Sequence, residues 1–412
     1  SSLGSVANIG GRILTIAIDP NNANNLFIGS ASGGIWKSIN AGSSWSYVPT
    51  NLPVLGVSSI VYHPTNSNIL IAGTGEVYRT NNSNIGYNVW KARGTYGVGI
   101  VRSTDGGATW AQVMIKYTSD LFAVQEIMYD PNNANTLYAG ATDVLYKSTE
   151  GGTTWSTTPF YAKNYVRDIA IHPADANQIV ITVGNLVDTD KGIYRTTNGG
   201  ASWTKSTDIV TSFPGYIKLT NNGTRLYAGV GRGGTNNELY MSTDFGANWS
   251  LKNNSNHCGG QYWFAHDLEV DPNDPDKILM GGVSYTNYTS TNATTGGSPA
   301  GLSGGHPDVH DFEFVSSNSN IVYIANDGGM YKSTNGGSTF SSINSGLIAV
   351  QFYASFATSP SAASANVMIG GLQDNGVVKY NGSSWSTVIG GDGGPAAFHP
   401  TNDQIVIYSN DA

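Results

Sequence analysis

The sequence predicts an all-β protein of the β-propeller class, and two observations carry that prediction. A motif of the form Ser/Thr-x-Asp/Asn-x-Gly-x-x-Trp returns about every 45 residues, and the segments between its copies alternate apolar and polar residues. The copies end at these aromatic residues: Trp45, Trp110, Trp155, Trp203, Trp249, Phe340 and, in a shortened form, Trp385. A repeat of this length, with room for four short antiparallel strands in each unit, is typical of a propeller blade.

Each repeat unit has the same order of elements. In the first unit an apolar run ends at Asp19-Pro20, a polar turn follows, and a second run ends at Gly29. A third run leads into the motif, and a fourth begins at Trp45. Period-two alternation between Gly, Pro, Asn and Asp predicts strands joined by tight turns. The first strands of successive units are predicted to begin near Leu14, Ser58, Val124, Val166, Tyr216, Ala265, Val309, Phe352 and Pro395.

The number of blades in the ring stays open at the sequence level. About nine repeat units fit either one ring of nine or ten blades or a seven-blade ring followed by the start of a second propeller. We expect one propeller domain over 1–412, whose last unit, 395–412, is incomplete because it holds only two strands. Further domains beyond Ala412 are compatible with this interpretation.

The repeated motif is interpreted as structural. Its Asp or Asn can accept hydrogen bonds from backbone amides of a tight turn, its Gly permits a positive φ, and its Trp supplies a large apolar face. Seven near-copies are too many for one active site. The motif therefore predicts the fold and leaves the chemistry to other residues.

Composition excludes several classes of partner. The net charge is −8 and the sequence contains no basic run, so a nucleic-acid partner is not expected. No apolar stretch is long enough for a membrane span, and no cofactor is predicted. Cys258 is the one cysteine and cannot form an internal disulfide. Low charge with abundant Ser, Thr and Asn favours an extracellular or cell-surface location.

The chain resembles the Asp-box (bacterial neuraminidase repeat) propellers over essentially its whole length. Within that group it is similar to secreted bacterial proteins related to sortilin-type propellers and to two-propeller xyloglucanases. The segments that carry the likeness are Asn8-Ile9-Gly10-Gly11-Arg12, Asn326-Asp327-Gly328-Gly329, Gly370-Gly371-Leu372-Gln373-Asp374-Asn375-Gly376 and Gly390-Gly391-Asp392-Gly393-Gly394. The resemblance implies secretion, in many such proteins by the type IX system with a C-terminal sorting domain.

The resemblance does not extend to the catalytic positions of these enzymes. The xyloglucanases that the chain resembles place a carboxylate two residues before the Gly-Gly of the first blade, and their site lies between two complete propellers. Ala31 stands at that carboxylate position here. Sialidases need three arginines and a Tyr nucleophile, and the Arg-Ile-Pro element of that family is missing from the sequence.

Candidate binding residues lie in the irregular loops, which join second to third strands or connect blades. The insertion Gly75 to Gly97 and two long segments near the sixth unit are rich in aromatic residues, which suit stacking on sugar rings or contact with a protein. An alternative is that the insertion folds over the propeller and buries its Trp. The candidates are Tyr87, Trp90, Tyr96, Tyr262, Trp263 and Tyr288.

Two groups of polar residues are candidates for chemistry. His306, Asp308 and His310 alternate, so an extended strand would place these potential metal ligands on one side, although surface histidines are the commoner case. Three aspartates beside glycines, in successive units, are candidates for paired catalytic carboxylates, or each closes its own turn. These aspartates are Asp327, Asp374 and Asp392.

Two functions remain open from the sequence. The first is a non-catalytic extracellular module that binds a glycan or a protein partner through loop aromatics. The alternative is a glycoside hydrolase that uses Asp374 with Asp392 or Asp327. The sequence favours the binding module, because Ala31 replaces the best-matched catalytic carboxylate.

Overall fold

The computed structural model describes residues 9–78, 95–116, 122–156, 160–162, 165–184, 190–209, 217–221, 223, 225–231, 237–255, 258, 261–288, 300–361 and 366–411. These residues form strands and turns and contain no helix, which confirms the all-β prediction. Over the same ranges, therefore, no helix has the length and apolar character needed to cross a bilayer.

The first four sheets are antiparallel and follow one another along the chain. Sheet one contains β1 (Ile13–Ile18), β2 (Leu26–Ser30), β3 (Ile35–Ser38) and β4 (Ser46–Val48). Sheet two contains β5 (Val57–His63), β6 (Asn66–Thr74), β7 (Gly99–Ser103) and β8 (Ala111–Ile115). Sheet three contains β9 (Val124–Asp130), β10 (Asn133–Ala141) and β11 (Leu145–Ser148). Sheet four contains β12 (Val166–Ile171), β13 (Ile179–Val183), β14 (Gly192–Thr196) and β15 (Thr204–Lys205).

The remaining sheets repeat this order, and the last has two strands. Sheet five contains β16 (Ile217–Asn221), β17 (Leu226–Val230), β18 (Asn237–Ser242) and β19 (Ser250–Ser255). Sheet six contains β20 (Asp267–Val270), β21 (Ile278–Gly281), β22 (Tyr285–Tyr288) and β23 (Ala300–Gly301). Sheet seven contains β24 (Val309–Phe314), β25 (Val322–Asn326), β26 (Gly329–Ser333) and β27 (Ser341–Ser342). Sheet eight contains β28 (Phe352–Thr358), β29 (Val367–Leu372), β30 (Gly376–Asn381) and β31 (Trp385–Ile389), and sheet nine contains β32 (Asp392–His399) and β33 (Asn402–Asp411).

The first seven sheets close into a ring. The innermost strand of each sheet packs against the innermost strand of the next, and β24 packs back on β1. The eighth and ninth sheets pack on one another beyond this ring. A ring of nine or ten blades is therefore wrong, and the other arrangement left open by the sequence, seven blades followed by the start of a second propeller, describes these sheets.

The ring closes at a seam between the first and seventh sheets, each of which is built from one continuous segment. At this closing seam Gly10 N donates to Gly328 O (2.9 Å), Ala349 N donates to Gly10 O (2.8 Å) and Trp45 Nε1 donates to Ile343 O (2.8 Å). Gly11 has a φ of 88°, and a Cβ there would lie 2.3 Å from the backbone of Ala349. Only glycine fits this approach, so non-repeating residues decide which blade meets the first.

Bulges in the innermost strands direct selected side chains towards the axis. The pairing of β1, β5, β9, β12 and β24 with the neighbouring strand shifts by one residue near the start of each strand. A bulged residue is re-aimed relative to the regular alternation. The five bulged residues, Leu14, Ser58, Gln125, Arg167 and His310, all line a cavity of about 150 Å³ on the axis.

Side-chain oxygens of the innermost strands also join neighbouring blades. Asp168, Asp267 and Asp311 each accept a hydrogen bond from a backbone N–H of the next innermost strand. We call these contacts the carboxylate bridges. Their donors and distances are Leu219 N (2.7 Å), Phe312 N (2.8 Å) and Ile16 N (2.6 Å), respectively. The third bridge spans the closing seam.

The hydrophobic core is divided into layers between adjacent sheets. Phe27 of the first sheet, for example, packs with Val57 and Ile60 of the second. The repeated motif holds the turns at the outer edge: Ser38 Oγ donates to Asn40 Oδ1 (2.9 Å), and Gly42 N donates to Ser38 Oγ (2.9 Å). These contacts agree with the structural interpretation of the motif.

Candidate functional site

Three carboxylates from separate loops meet at one face of the ring. Asp308 directly precedes β24, Asp327 lies in the turn between β25 and β26, and Asp374 lies in the turn between β29 and β30. Their nearest carboxyl oxygens all lie within 4.8 Å of one another. We call these three residues the acidic cluster. It lies where the seventh sheet meets the eighth, among the loops that connect blades or join second to third strands.

Polar contacts between the loops fix the cluster. Asn375 Nδ2 donates to Asp327 O (3.0 Å), which ties the two turns together. Asp392 Oδ1 accepts the backbone N–H of Asp374 (2.9 Å). Asp308 and Asp374 have φ values of 63° and 59°, in the left-handed region that Asp tolerates better than most residues. The structure thus brings Asp327, Asp374 and Asp392 together: Asp327 and Asp374 lie in separate turns, and contacts between the loops join all three.

Exposure decreases from one acid to the next. Asp392 is exposed and Asp374 is half-buried, whereas Asp308 is 6% and Asp327 is 0% exposed. Asp374 and Asp392 are therefore the members of this group that can touch a ligand from solvent. Asp327 lies behind them.

The carboxyl of Asp374 holds its proton more strongly than an ordinary Asp. Burial is the main cause, followed by the negative charge of Asp327 and a hydrogen bond between the two side chains, and together these raise the pKa of Asp374 to about 6. A hydrogen bond to Asp392 and the charge of Arg12 act in the opposite direction. A carboxylic acid that keeps its proton up to about pH 6 is suited to general acid catalysis.

A buried ion pair supports the cluster from the ring side. Arg12 and Glu76 are both buried, and Arg12 Nη2 lies 2.9 Å from Glu76 Oε2. Tyr78 donates its hydroxyl to Glu76 Oε1. Burial alone would lower the pKa of Arg12, but the charges of Glu76 and then of Tyr78, Asp327 and Asp374 raise it above its ordinary value. Arg12 thus stays cationic beside the acids.

Glu76 was missed by the sequence analysis. It follows β6, so it occupies the second-to-third strand loop of its blade, the same topological place as Asp327 and Asp374. This shared position in the loops could have identified Glu76 as a candidate from the sequence. Arg12 lies in one of the segments that carry the resemblance, but its partner Glu76 is 64 residues away and could not be identified from spacing.

The metal-ligand candidates do not converge as one set. His306 Nε2 contacts the backbone oxygen of Asp374 (3.1 Å), whereas His310 Nε2 lies 2.6 Å from Asp327 Oδ1. Asp308 joins the acidic cluster instead. The reason is the left-handed backbone at Asp308, which breaks the strand alternation on which the prediction depended.

The aromatic candidates have different environments. Trp263 is 7% exposed and packs edge-on against Tyr78 with ring centroids 5.8 Å apart, so its predicted role as an accessible binding residue is wrong. Tyr262 is half-buried beside it, and Tyr96 is 51% exposed. Trp90 and Tyr87 lie outside the described residues. Tyr288 ends β22, and its side chain is also outside the description.

Cys258 forms a buried pair with His266. Its Sγ lies 3.0 Å from His266 Nδ1, and His266 Nε2 lies 2.9 Å from Gly229 O. Since a carbonyl can only accept, Nε2 carries the hydrogen and Nδ1 accepts from the thiol. Burial, and after it the charge of Asp308, raises the pKa of Cys258 well above its ordinary value. The pair is therefore suited to holding the loop and not to nucleophilic chemistry.

Sequence comparison finds xyloglucanases that are similar to this chain. The Paenibacillus sp. xyloglucanase is 26% identical over 333 residues, which cover 64% of this chain and 30% of that protein. The chain spans about a third of the length of the curated relatives it matches.

Solved structures show the same fold. The GH74 xyloglucanase from Xanthomonas campestris aligns with a TM-score of 0.71 at 14% identity, over 98% of this chain and 65% of that one. An ancestral GH74 enzyme aligns with a TM-score of 0.64 at 20% identity, over 92% of this chain and 54% of that one. The family model described as "Sortilin, neurotensin receptor 3" matches residues 99–227. The chain is therefore an all-β propeller protein with xyloglucanases among its relatives.

Proposed function

We propose that this chain is part of an extracellular glycoside hydrolase that cleaves a polysaccharide at the face formed by the acidic cluster. The observation that carries the proposal is Asp374, a half-buried carboxyl with a pKa raised to about 6 that lies beside the exposed Asp392. Xyloglucanases among the relatives support xyloglucan or a similar glucan as the substrate class. An extracellular location, secretion by the type IX system and further domains remain predictions.

The roles follow from exposure and protonation. Asp374 donates its proton to the glycosidic oxygen as the bond breaks. Asp392 is the exposed second carboxylate; it is hydrogen-bonded to Asp374, closer than the roughly 5–10 Å that separates the carboxyls of glycosidases, so its side chain must turn towards solvent to act as base or nucleophile. Asp327 is too deeply buried to touch a sugar, and it acts by holding Asp374. The configuration of the released anomeric carbon distinguishes the two roles of Asp392.

One observation favours the binding module instead. Ala31, which stands where the xyloglucanase resemblance places a carboxylate, is 1% exposed, and its carbonyl accepts a hydrogen bond from Thr95 Oγ1 (3.1 Å). This place on the first blade therefore offers a ligand no acid. A protein that binds glycans without cleaving them would account for this arrangement.

Hydrolysis and binding assays across plant, algal and bacterial polysaccharides separate the two functions. Asp374→Asn and Asp392→Asn should each lower turnover by about 10²-fold or more, because general acid catalysis typically contributes 10²–10⁴-fold. Asp105→Asn is the matched control, since Asp105 is exposed in a repeated motif whose other copies carry Asn40, Asn198 or Asn335. Binding without turnover, unchanged in all three variants, would establish the binding module.

A further inference from the structure

His310 links the acidic cluster to the axial cavity. The bulge in β24 re-aims this residue, so that it lines the cavity while Nε2 lies 2.6 Å from Asp327 Oδ1. Phe264 packs edge-on against the imidazole, with ring centroids 5.1 Å apart. Phe264 and Asp327 thus hold the imidazole of His310 in place. The contact between Nε2 and Asp327 is short enough to be a strong, charge-assisted hydrogen bond.

The direction of that hydrogen bond follows from the charges of the two groups. Burial is the main influence on His310 and contributes to lowering its pKa to about 4, so the imidazole is neutral near pH 7. A neutral imidazole carries one hydrogen, on either nitrogen. If Asp327 is the ionised member of its pair with Asp374, then Nε2 must carry this hydrogen and donate it.

We propose that His310 is a positioning residue whose Nε2–H donates to Asp327 Oδ1 and thereby keeps the single proton of the Asp327–Asp374 pair on Asp374. Without this donor, the fully buried Asp327 would be the more costly of the two carboxylates to ionise, and it would take the proton. The inference rests on the proposed role of Asp374 as proton donor. His310 would thereby determine which carboxyl of the pair is protonated.

Other charged groups surround His310 and the Asp327–Asp374 pair, and they are the same whichever of the two carboxyls holds the proton. Arg12, Glu76 and Asp308 act on His310, Arg12 also acts on Asp374, Tyr78 interacts with Asp327, and Asp392 bonds to Asp374. Glu126, Arg167, Asp311 and Glu313 line the axial cavity with His310. Because none of these groups is altered in the variants below, a difference between variants reports on the His310 contact.

The first test needs no substitution. Long-range ¹H–¹⁵N NMR of the imidazoles in the intact wild-type chain at pH 5, where His310 is neutral and Asp374 still holds its proton, should show His310 as the tautomer with hydrogen on Nε2. Finding the hydrogen on Nδ1 would overturn the proposal, because Asp327 would then be the donor. This readout is independent of any activity, so it stands even if no polysaccharide is cleaved.

The second test compares His310→Leu with His310→Gln, using ¹³C-labelled aspartate carboxyls. Leu removes the donor, and the titration of Asp374 should move down by about one pH unit or more as the proton transfers to Asp327. Gln retains an N–H donor and should preserve the wild-type titration. If the chain hydrolyses a polysaccharide, the alkaline limit of hydrolysis should likewise move down in the Leu variant and stay unchanged in the Gln variant. Equal titrations in the two variants would overturn the proposal. If the Leu variant does not fold, the titration of Asp374 is measured in Asp327→Asn instead. A titration equal to that of the wild type would then overturn the proposal.

Discussion

At the scale of single residues, Asp374 combines accessibility with an unusual affinity for its proton. Its ordinary pKa of 3.8 is raised to about 6, so the folded chain binds more protons than the unfolded chain between these values. The resulting stability is fully present below pH 3.8 and is lost as the pH rises through 6. The same carboxyl therefore links the pH dependence of stability to that of the proposed catalysis.

We expect hydrolysis to fall as the pH rises through about 6, since Asp374 then loses the proton it must donate. Asp327→Asn removes the neighbouring charge and should move this limit to lower pH by roughly one unit. The measurement is kcat/KM against pH for both proteins. An unchanged limit in the variant would show that Asp327 does not set the proton affinity of Asp374.

Cys258 allows a separate prediction. Cys258→Ala removes the donor to His266 and should lower the free energy of unfolding by about 1–3 kcal/mol, whereas Cys258→Ser keeps a donor and should cost less. The wild-type thiol should react with iodoacetamide only after unfolding, because it is buried and protonated. Rapid reaction of the folded protein would contradict this assignment.

Local residues were predicted better than distant contacts. The turns of the repeated motif depend on residues within four positions of one another, as at Ser38 and Gly42, so the sequence indicated them. The burial of Trp263 depends on Tyr78, and the ion pair of Arg12 depends on Glu76. Such pairs join different blades, and a repeat pattern alone does not determine which non-repeating residues meet.

At the scale of elements, the carboxylate bridges join strands that have no backbone ladder between them. In each bridge a single Asp oxygen satisfies an N–H of the neighbouring innermost strand, as Asp168 does for Leu219. The acceptor is close to a bulge in β12 and β24, which explains how one strand presents both an axial side chain and an inter-blade contact. The sequence showed the strands, but alternation alone did not indicate the bulges.

Asp168→Ala should lower the free energy of unfolding by about 1–3 kcal/mol, because it leaves a buried backbone N–H without its acceptor. Asp168→Asn keeps an acceptor oxygen and serves as the matched control. Guanidinium unfolding at equilibrium gives the comparison. Equal stabilities for the Ala and Asn variants would mean that the bridge contributes nothing measurable.

At the scale of the whole molecule, the seven-sheet ring is complete in its own contacts, whereas the proposed site also needs the eighth and ninth sheets. Asp327 belongs to the ring, but Asp374 and Asp392 lie beyond it. The repeat period predicted the blades, and the choice between seven and nine depended on the seam contacts of Gly10 and Gly11, which are not part of the repeat.

We expect a fragment of residues 1–351 to fold as a closed ring and to lack hydrolysis, because it retains every seam residue and loses the two accessible acids. Circular dichroism, analytical ultracentrifugation and cooperative denaturation would establish the folded monomer. An aggregated or non-cooperative fragment would show that the last two sheets are needed for the ring itself.

The closing seam also has a mechanical consequence. Because each of the two sheets that meet there is built from one continuous segment, the described residues contain no strand shared between them, and the load falls on the seam hydrogen bonds and on an apolar layer that includes Trp45, Ile16 and Tyr323. A chain pulled between its first and seventh sheets should therefore separate at this junction before any single sheet unfolds. The ring would open at the closing seam while its individual sheets stay folded.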